Sequence, residues 1–117
     1  MHTAFNPLGV GDMAKDYIID YGNNSNGWYR KWKSGWLEQG GLILNPSAIQ
    51  TVSIINYRDT NYFINCQYIM DAASTGRYVS CGNKTINSFI VRTSASNLDN
   101  WSTSYPVSFY WETKGYI

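Results

Sequence analysis

Trp28-Tyr29-Arg30-Lys31-Trp32-Lys33-Ser34-Gly35-Trp36-Leu37-Glu38-Gln39-Gly40-Gly41 is the stretch whose reading decides the fold, because tryptophan returns at every fourth position around a short polar break. That spacing is compatible with one face of a helix, but Lys33, Ser34 and Gly35 interrupt the run and a glycine pair closes it. The segment therefore reads as a β-hairpin. A three-residue loop with glycine in its last, left-handed position is a common hairpin connection, and Gly35 stands where that loop needs positive φ.

Pairing outward from this turn sets Lys31 opposite Leu37, Arg30 opposite Glu38, Tyr29 opposite Gln39 and Trp28 opposite Gly40. Side chains alternate along a strand, so one face carries Trp28, Arg30, Trp32, Trp36 and Glu38, and the other carries Tyr29, Lys31, Leu37 and Gln39. Arg30 and Glu38 are expected to form a cross-strand ion pair and Trp28 to lie over the bare backbone of Gly40, such pairs contributing roughly 0.2–1 kcal/mol each. The tryptophans have two readings. They form a sugar-stacking or partner-binding platform, or they pack in the core or at a subunit interface. Packing is favoured, because the neighbouring Arg and Glu can satisfy each other and the indole N–H groups need only local acceptors.

The run DYIIDYG from Asp16 to Gly22, the Asn/Ser/Gly loop after it and then WYRKWKSGWLEQGG resemble the opening half of the C-terminal domain found at the ends of bacteriophage tail fibres. The specific part is the first hairpin and its Gly-Gly. The remainder, to Ile117, matches as a pattern: a strand, an Asp-Thr-Asn-Tyr turn at Asp59–Tyr62 and a closing aromatic strand. The resemblance implies a homotrimeric, all-β receptor-binding tip in the virion, made in the host bacterial cytoplasm, joined to the rest of the tail fibre through its N-terminus and recognising a bacterial surface polysaccharide. It transfers no catalytic residues.

Composition agrees with the β class. At 117 residues the chain is long enough for one core, and its 16% aromatic and 15% charged content suits strands with polar loops better than a helical bundle. A net charge of +1 without a basic run excludes an electrostatic footprint for nucleic acid or an anionic membrane. There is no apolar run of membrane-spanning length and no signal-peptide pattern, so neither membrane insertion nor export is expected.

Cys66 and Cys81 are the two cysteines. They are read as a disulfide or as two buried thiols, with free thiols favoured for a protein folding in a reducing cytoplasm.

Residues 1–15, with Pro7, Gly9 and Gly11, read as a linker or shaft junction. From residue 16 onward the chain reads as a single antiparallel β-sandwich of roughly seven to nine strands. Asp16–Tyr21 is expected to lead into the tryptophan hairpin, giving three antiparallel strands in succession that end at Gly40 and Gly41. Ile49–Tyr57 and Tyr62–Met70 are expected to form a second hairpin, and Arg77–Cys81 and Ser88–Thr93 a third pair, turning at Gly82, Asn83 and Lys84. Ser94–Tyr105 reads as a long loop. The last strand, Val107–Ile117, sets Val107, Phe109, Trp111 and Thr113 against Tyr110 and Glu112, and its aromatic content places it inside a sheet.

No catalytic set is legible. A glycosidase needs two carboxylates about 5–10 Å apart; Asp16, Asp20 and Glu38 lie on neighbouring strands and Asp71 and Asp99 on loops, but a chain with eight acids yields such sets readily. His2 is the one histidine and lies in the lead-in, so no metal site, nucleophilic Ser/His or Cys/His pair, or cofactor is expected. Sugar recognition is easier to argue, since aromatic faces stack on sugar rings while amides, carboxylates and Arg bond their hydroxyls. Trp101 and Tyr105, flanked by Asn97, Asp99 and Asn100, with Arg77 and Tyr78 from another loop, are the expected ligand-binding residues. Packing of Trp101 as a cap on the sandwich or against a neighbouring subunit stands beside that reading.

Overall fold

The computed structural model describes residues 15–69, 76–96, 103, 104 and 106–117. Among these, nine strands form: β1 (Ile18–Asn24), β2 (Gly27–Trp32), β3 (Trp36–Ile43), β4 (Ile49–Ser53), β5 (Phe63–Tyr68), β6 (Gly76–Thr85), β7 (Ser88–Ser96), β8 (Thr103–Ser104) and β9 (Phe109–Tyr116). One sheet has the order β1-β2-β3-β9-β5; the other has β4-β7-β6, with β8 also paired to β7. All pairings are antiparallel. The class is the all-β, two-sheet architecture expected from the alternation of apolar residues. No helix among the described residues is long and apolar enough to cross a membrane.

The tryptophan hairpin forms in the register read from the sequence, Trp28 to Gly40 through Lys31 to Leu37. Gly35 adopts φ 93° and its N–H bonds to the Trp32 carbonyl at 2.9 Å, closing the turn. Asp16 braces that turn from outside, its carboxylate accepting from the Ser34 N–H and hydroxyl at 2.9 Å each.

The core lies between the sheets. Leu37, Phe109 and Trp111 from the first sheet meet Val52, Phe89 and Val91 from the second, each large apolar side chain contributing roughly 1.5–3 kcal/mol on burial. Phe89 and Trp111 meet edge to face at 5.7 Å. Tyr57 and Tyr62 stack at 4.5 Å within this core. The Tyr62 hydroxyl crosses to the second sheet, donating to the carbonyls of Thr85 (2.7 Å) and Ser88 (2.9 Å).

Several boundaries differ from the sequence reading. The glycine pair does not end β3, which runs on to Ile43; a bare backbone is needed there because neighbours pack directly onto it. The turn between β1 and β2 shortens to Ser25 and Asn26, with Asn24 Oδ1 accepting from the N–H groups of Asn26 and Gly27. Likewise β6 continues to Thr85 through an irregularity between Gly82 and Thr85, moving the turn to Ile86 and Asn87.

Residues 49–57 and 62–70 do not make a hairpin. β4 pairs with β7 in one sheet and β5 with β9 in the other, because β4 stops at Ser53 and the chain crosses between layers. The crossing is stabilised by a side chain imitating a strand: Gln39 donates from Nε2 to the Ile55 carbonyl (3.0 Å) and accepts at Oε1 from the Ile55 N–H (2.9 Å). Part of the expected loop from Ser94 to Tyr105 is strand, as β7 extends to Ser96 and pairs with β8. β9 is internal, as expected, between β3 and β5.

Candidate functional site

Because β9 pairs with β3 on one side and β5 on the other, positions far apart in sequence fall into transverse rows on the outer face of the five-stranded sheet. One row is Trp28, Gly40, Glu112 and Asn65; the next is Leu42, Tyr110 and Gln67. These two rows line a concave site of about 370 Å³, completed by Gly41 and Trp111. That volume lies in the lower part of the range for small-molecule sites, room for about one or two sugar rings.

The walls are built from opposite chemistries. Trp28, Leu42 and Tyr110 give apolar and aromatic surface, Tyr110 and Leu42 being 55% and 46% exposed. Asn65 and Gln67 are exposed on β5 and supply amide donors and acceptors, while Glu112 supplies a carboxylate. Glu112 is the one charged group among the described residues of this lining, with Arg30 behind Trp28. A neutral polar ligand with an apolar face fits this mixture of aromatic, amide and carboxylate groups.

The tryptophan hairpin holds the Trp28 wall in place. A Cβ on Gly40 would stand 2.7 Å from the Trp28 ring, so the indole lies directly on the strand backbone. Arg30 sits 5.1 Å from the Trp28 ring centre and is fixed in turn by Glu38, Nε to Oε1 at 2.9 Å. Glu38 also accepts from Trp32 Nε1 at 3.2 Å. Burial pushes the Glu38 carboxyl up, but hydrogen bonds from Trp32 and Trp36 and the Arg30 charge outweigh it and leave the pKa below the usual glutamate value.

The three tryptophans are thus outside the hydrophobic core, half-buried on the outer face, with Trp36 edge to face on Tyr116 at 4.9 Å. It is the alternate set, Leu37, Gln39 and Tyr29, that turns inward. Trp111 belongs to the core, yet its Nε1 is a buried polar atom without a hydrogen-bond partner and lies beside Gly41.

Of the residues expected to bind a ligand, Trp101, Tyr105, Asn97, Asp99 and Asn100 lie outside the described residues. Arg77 falls in β6 opposite Ala95 rather than on a loop, and Tyr78, also in β6 and opposite Ser94, is 41% exposed. Tyr78 does not line the site of Trp28 and Tyr110. Sequence reasoning singled out Trp28 but missed Leu42, Asn65, Gln67, Tyr110 and Glu112. Their signal was the outward alternation of β5 and β9.

Of the acids considered for hydrolysis, Asp20 accepts from the Tyr29 hydroxyl at 3.5 Å. Asp16 is engaged by Ser34 and Glu38 by Arg30 and Trp32, while Asp71 and Asp99 lie outside the described residues. Among the described residues no group of three His, Cys, Asp or Glu could hold a metal ion. No protein-family model matches the sequence, and no curated protein or solved structure shows significant similarity to it.

Proposed function

We propose that this chain is a non-catalytic glycan-binding module, the receptor-binding tip of a phage tail fibre, which takes neutral sugars of a bacterial surface polysaccharide into the site of Trp28 and Tyr110. The single observation carrying the glycan part is the pairing of aromatic walls with two amides and one carboxylate in a shallow, solvent-open site. Aromatic faces pack on the C–H face of a sugar ring while the amides and carboxylate take its hydroxyls. The fibre part, including assembly as a homotrimer and attachment to the fibre shaft through the N-terminus, rests on the resemblance of residues 16–41.

A structural trimerisation cap is the second reading, favoured by Tyr21 and Phe63, which are 74% and 71% exposed on the same outer face as the site. One experiment separates the two. Host polysaccharide is titrated into the purified chain, with binding followed by calorimetry, for the wild type, Trp28→Ala and Tyr110→Ala, while light scattering records the oligomeric state. Loss of binding by variants that keep the wild-type mass supports the glycan reading. Unchanged binding in both variants, or variants that dissociate, overturns it in favour of another site or of the cap.

A further inference from the structure

On one open side of the sandwich, each sheet brings a cysteine to the seam. β5 ends the order of the first sheet and β6 that of the second, and the two strands pack against each other. Cys66 is in register with Trp111 and Cys81 with Val91, both core-facing positions. The thiols therefore face the same seam from facing edges, near enough for the Cys81 sulfur to raise the pKa of Cys66. Both are free; Cys66 is half-buried and packs on the core, while Cys81 is exposed.

We propose that Cys66 and Cys81 are a redox clasp, a dithiol that closes to a disulfide and locks edge strand β5 of the binding sheet to edge strand β6 of the other sheet. Among the described residues no ladder joins these edges, since β5 has its strand partner there in β9 alone. Asn65 and Gln67 flank Cys66 and project to the opposite face, into the site of Trp28 and Tyr110. The clasp lies directly behind the amides and limits how far β5 can swing away.

The oxidant is a low-molecular-weight disulfide such as glutathione disulfide. Cys81 is the sulfur such a molecule can reach. Its thiolate attacks one sulfur of glutathione disulfide, forming a mixed disulfide and expelling one glutathione thiolate. Burial, then the adjacent Cys81 sulfur, pushes the Cys66 thiol up to about 12, so Cys81 and not Cys66 is the first nucleophile. Cys66 then loses its proton to solvent and attacks the Cys81 sulfur, releasing the second glutathione. Two electrons and two protons leave the dithiol, and one glutathione disulfide becomes two glutathiones. For a fibre tip released with its particle from a reducing cytoplasm, the clasp closes after release; that timing rests on the proposed function, whereas the chemistry does not.

The test uses the full chain, dilute and at mildly alkaline pH, treated with glutathione disulfide, then denatured and exposed to N-ethylmaleimide before intact-mass analysis. The expected product is a single chain lighter by two hydrogen atoms that takes up no maleimide. Its Tm should rise by on the order of 10 °C, because the bond closes a loop of about 15 residues, and should return on treatment with dithiothreitol. Cys81→Ser, a change at an exposed position, should show neither effect. A chain that takes up two maleimides, retains glutathione as a stable adduct or cross-links to a second chain overturns the clasp. Glycan binding is no part of this readout, so the clasp and the glycan reading can fail separately.

Discussion

The indole of Trp28 lies against Gly40, so close that a methyl group on Gly40 would stand 2.7–2.8 Å from three of its ring atoms. No flexible side-chain tip is available to yield, because the neighbour is a rigid ring braced by Arg30. Gly40→Ala should therefore lift Trp28 out of the site wall, lowering stability by about 1–3 kcal/mol. Tryptophan emission should shift with it. A variant with wild-type Tm and spectrum would show that the ring has room to move.

Within the site, the polar groups should rank by charge. Asn65→Ala and Gln67→Ala each remove a neutral hydrogen-bonding group, an effect of about 0.5–1.5 kcal/mol or roughly two- to tenfold in glycan affinity. Glu112→Ala removes a charged acceptor and should cost about 1.5–3 kcal/mol. Calorimetric titration with the host polysaccharide checks the order; Glu112→Ala weaker in effect than both amide variants would mean that the carboxylate faces solvent in the complex.

The first hairpin was legible because turn chemistry and alternation agreed on a single register, from Gly35 back to Trp28. Alternation also marked β9 as an internal aromatic strand. Neither signal names a strand's partner when that partner is distant. For this reason β4 and β5 read as a hairpin although they lie in different sheets, and residues 28, 65 and 112 gave no hint that they share a row. Which face of the hairpin turns inward was also hidden, since both carry large side chains. The decisive vote came from Leu37 and Gln39, whose neighbours Tyr57, Thr113 and Ile55 are supplied by later parts of the chain.

Gln39 is 2% exposed and satisfies both backbone groups of Ile55. Gln39→Leu keeps comparable bulk but leaves an N–H and a carbonyl unpaired in the layer between the sheets, at about 1–3 kcal/mol per group. Urea denaturation should show a lowered midpoint. If the midpoint stays at the wild-type value, water reaches Ile55 and the inter-sheet crossing does not depend on this amide.

Glu38 should make the hairpin acid-sensitive. Its folded pKa lies below the usual value of 4.5, so on acidification the unfolded chain takes up this proton first. Its stabilising contribution is complete above about pH 4.5 and is lost as pH falls through the lower, folded pKa. Stability measured by urea denaturation should accordingly fall on acidification below that point, and Glu38→Gln should flatten this part of the profile. An unchanged slope in the variant would assign it to other carboxylates.

Tyr62 gives the opposite sign at the alkaline end. Burial, then the neighbouring Tyr57, pushes its hydroxyl from 10.0 up to about 12. The folded chain therefore keeps a proton that the unfolded chain gives up, and the contribution of Tyr62 is complete below about pH 10 and lost as pH rises towards 12. The hydroxyl bonds to Thr85 and Ser88 that join the two sheets are lost on ionisation, because a phenolate cannot donate. Ultraviolet titration should show a late component from Tyr62, in step with loss of the folded signal. Tyr62→Phe should remove that late component while lowering stability at neutral pH by about 0.5–1.5 kcal/mol. A titration in which the variant and the wild type lose the same early component would place the Tyr62 hydroxyl in solvent instead of at the junction of the sheets.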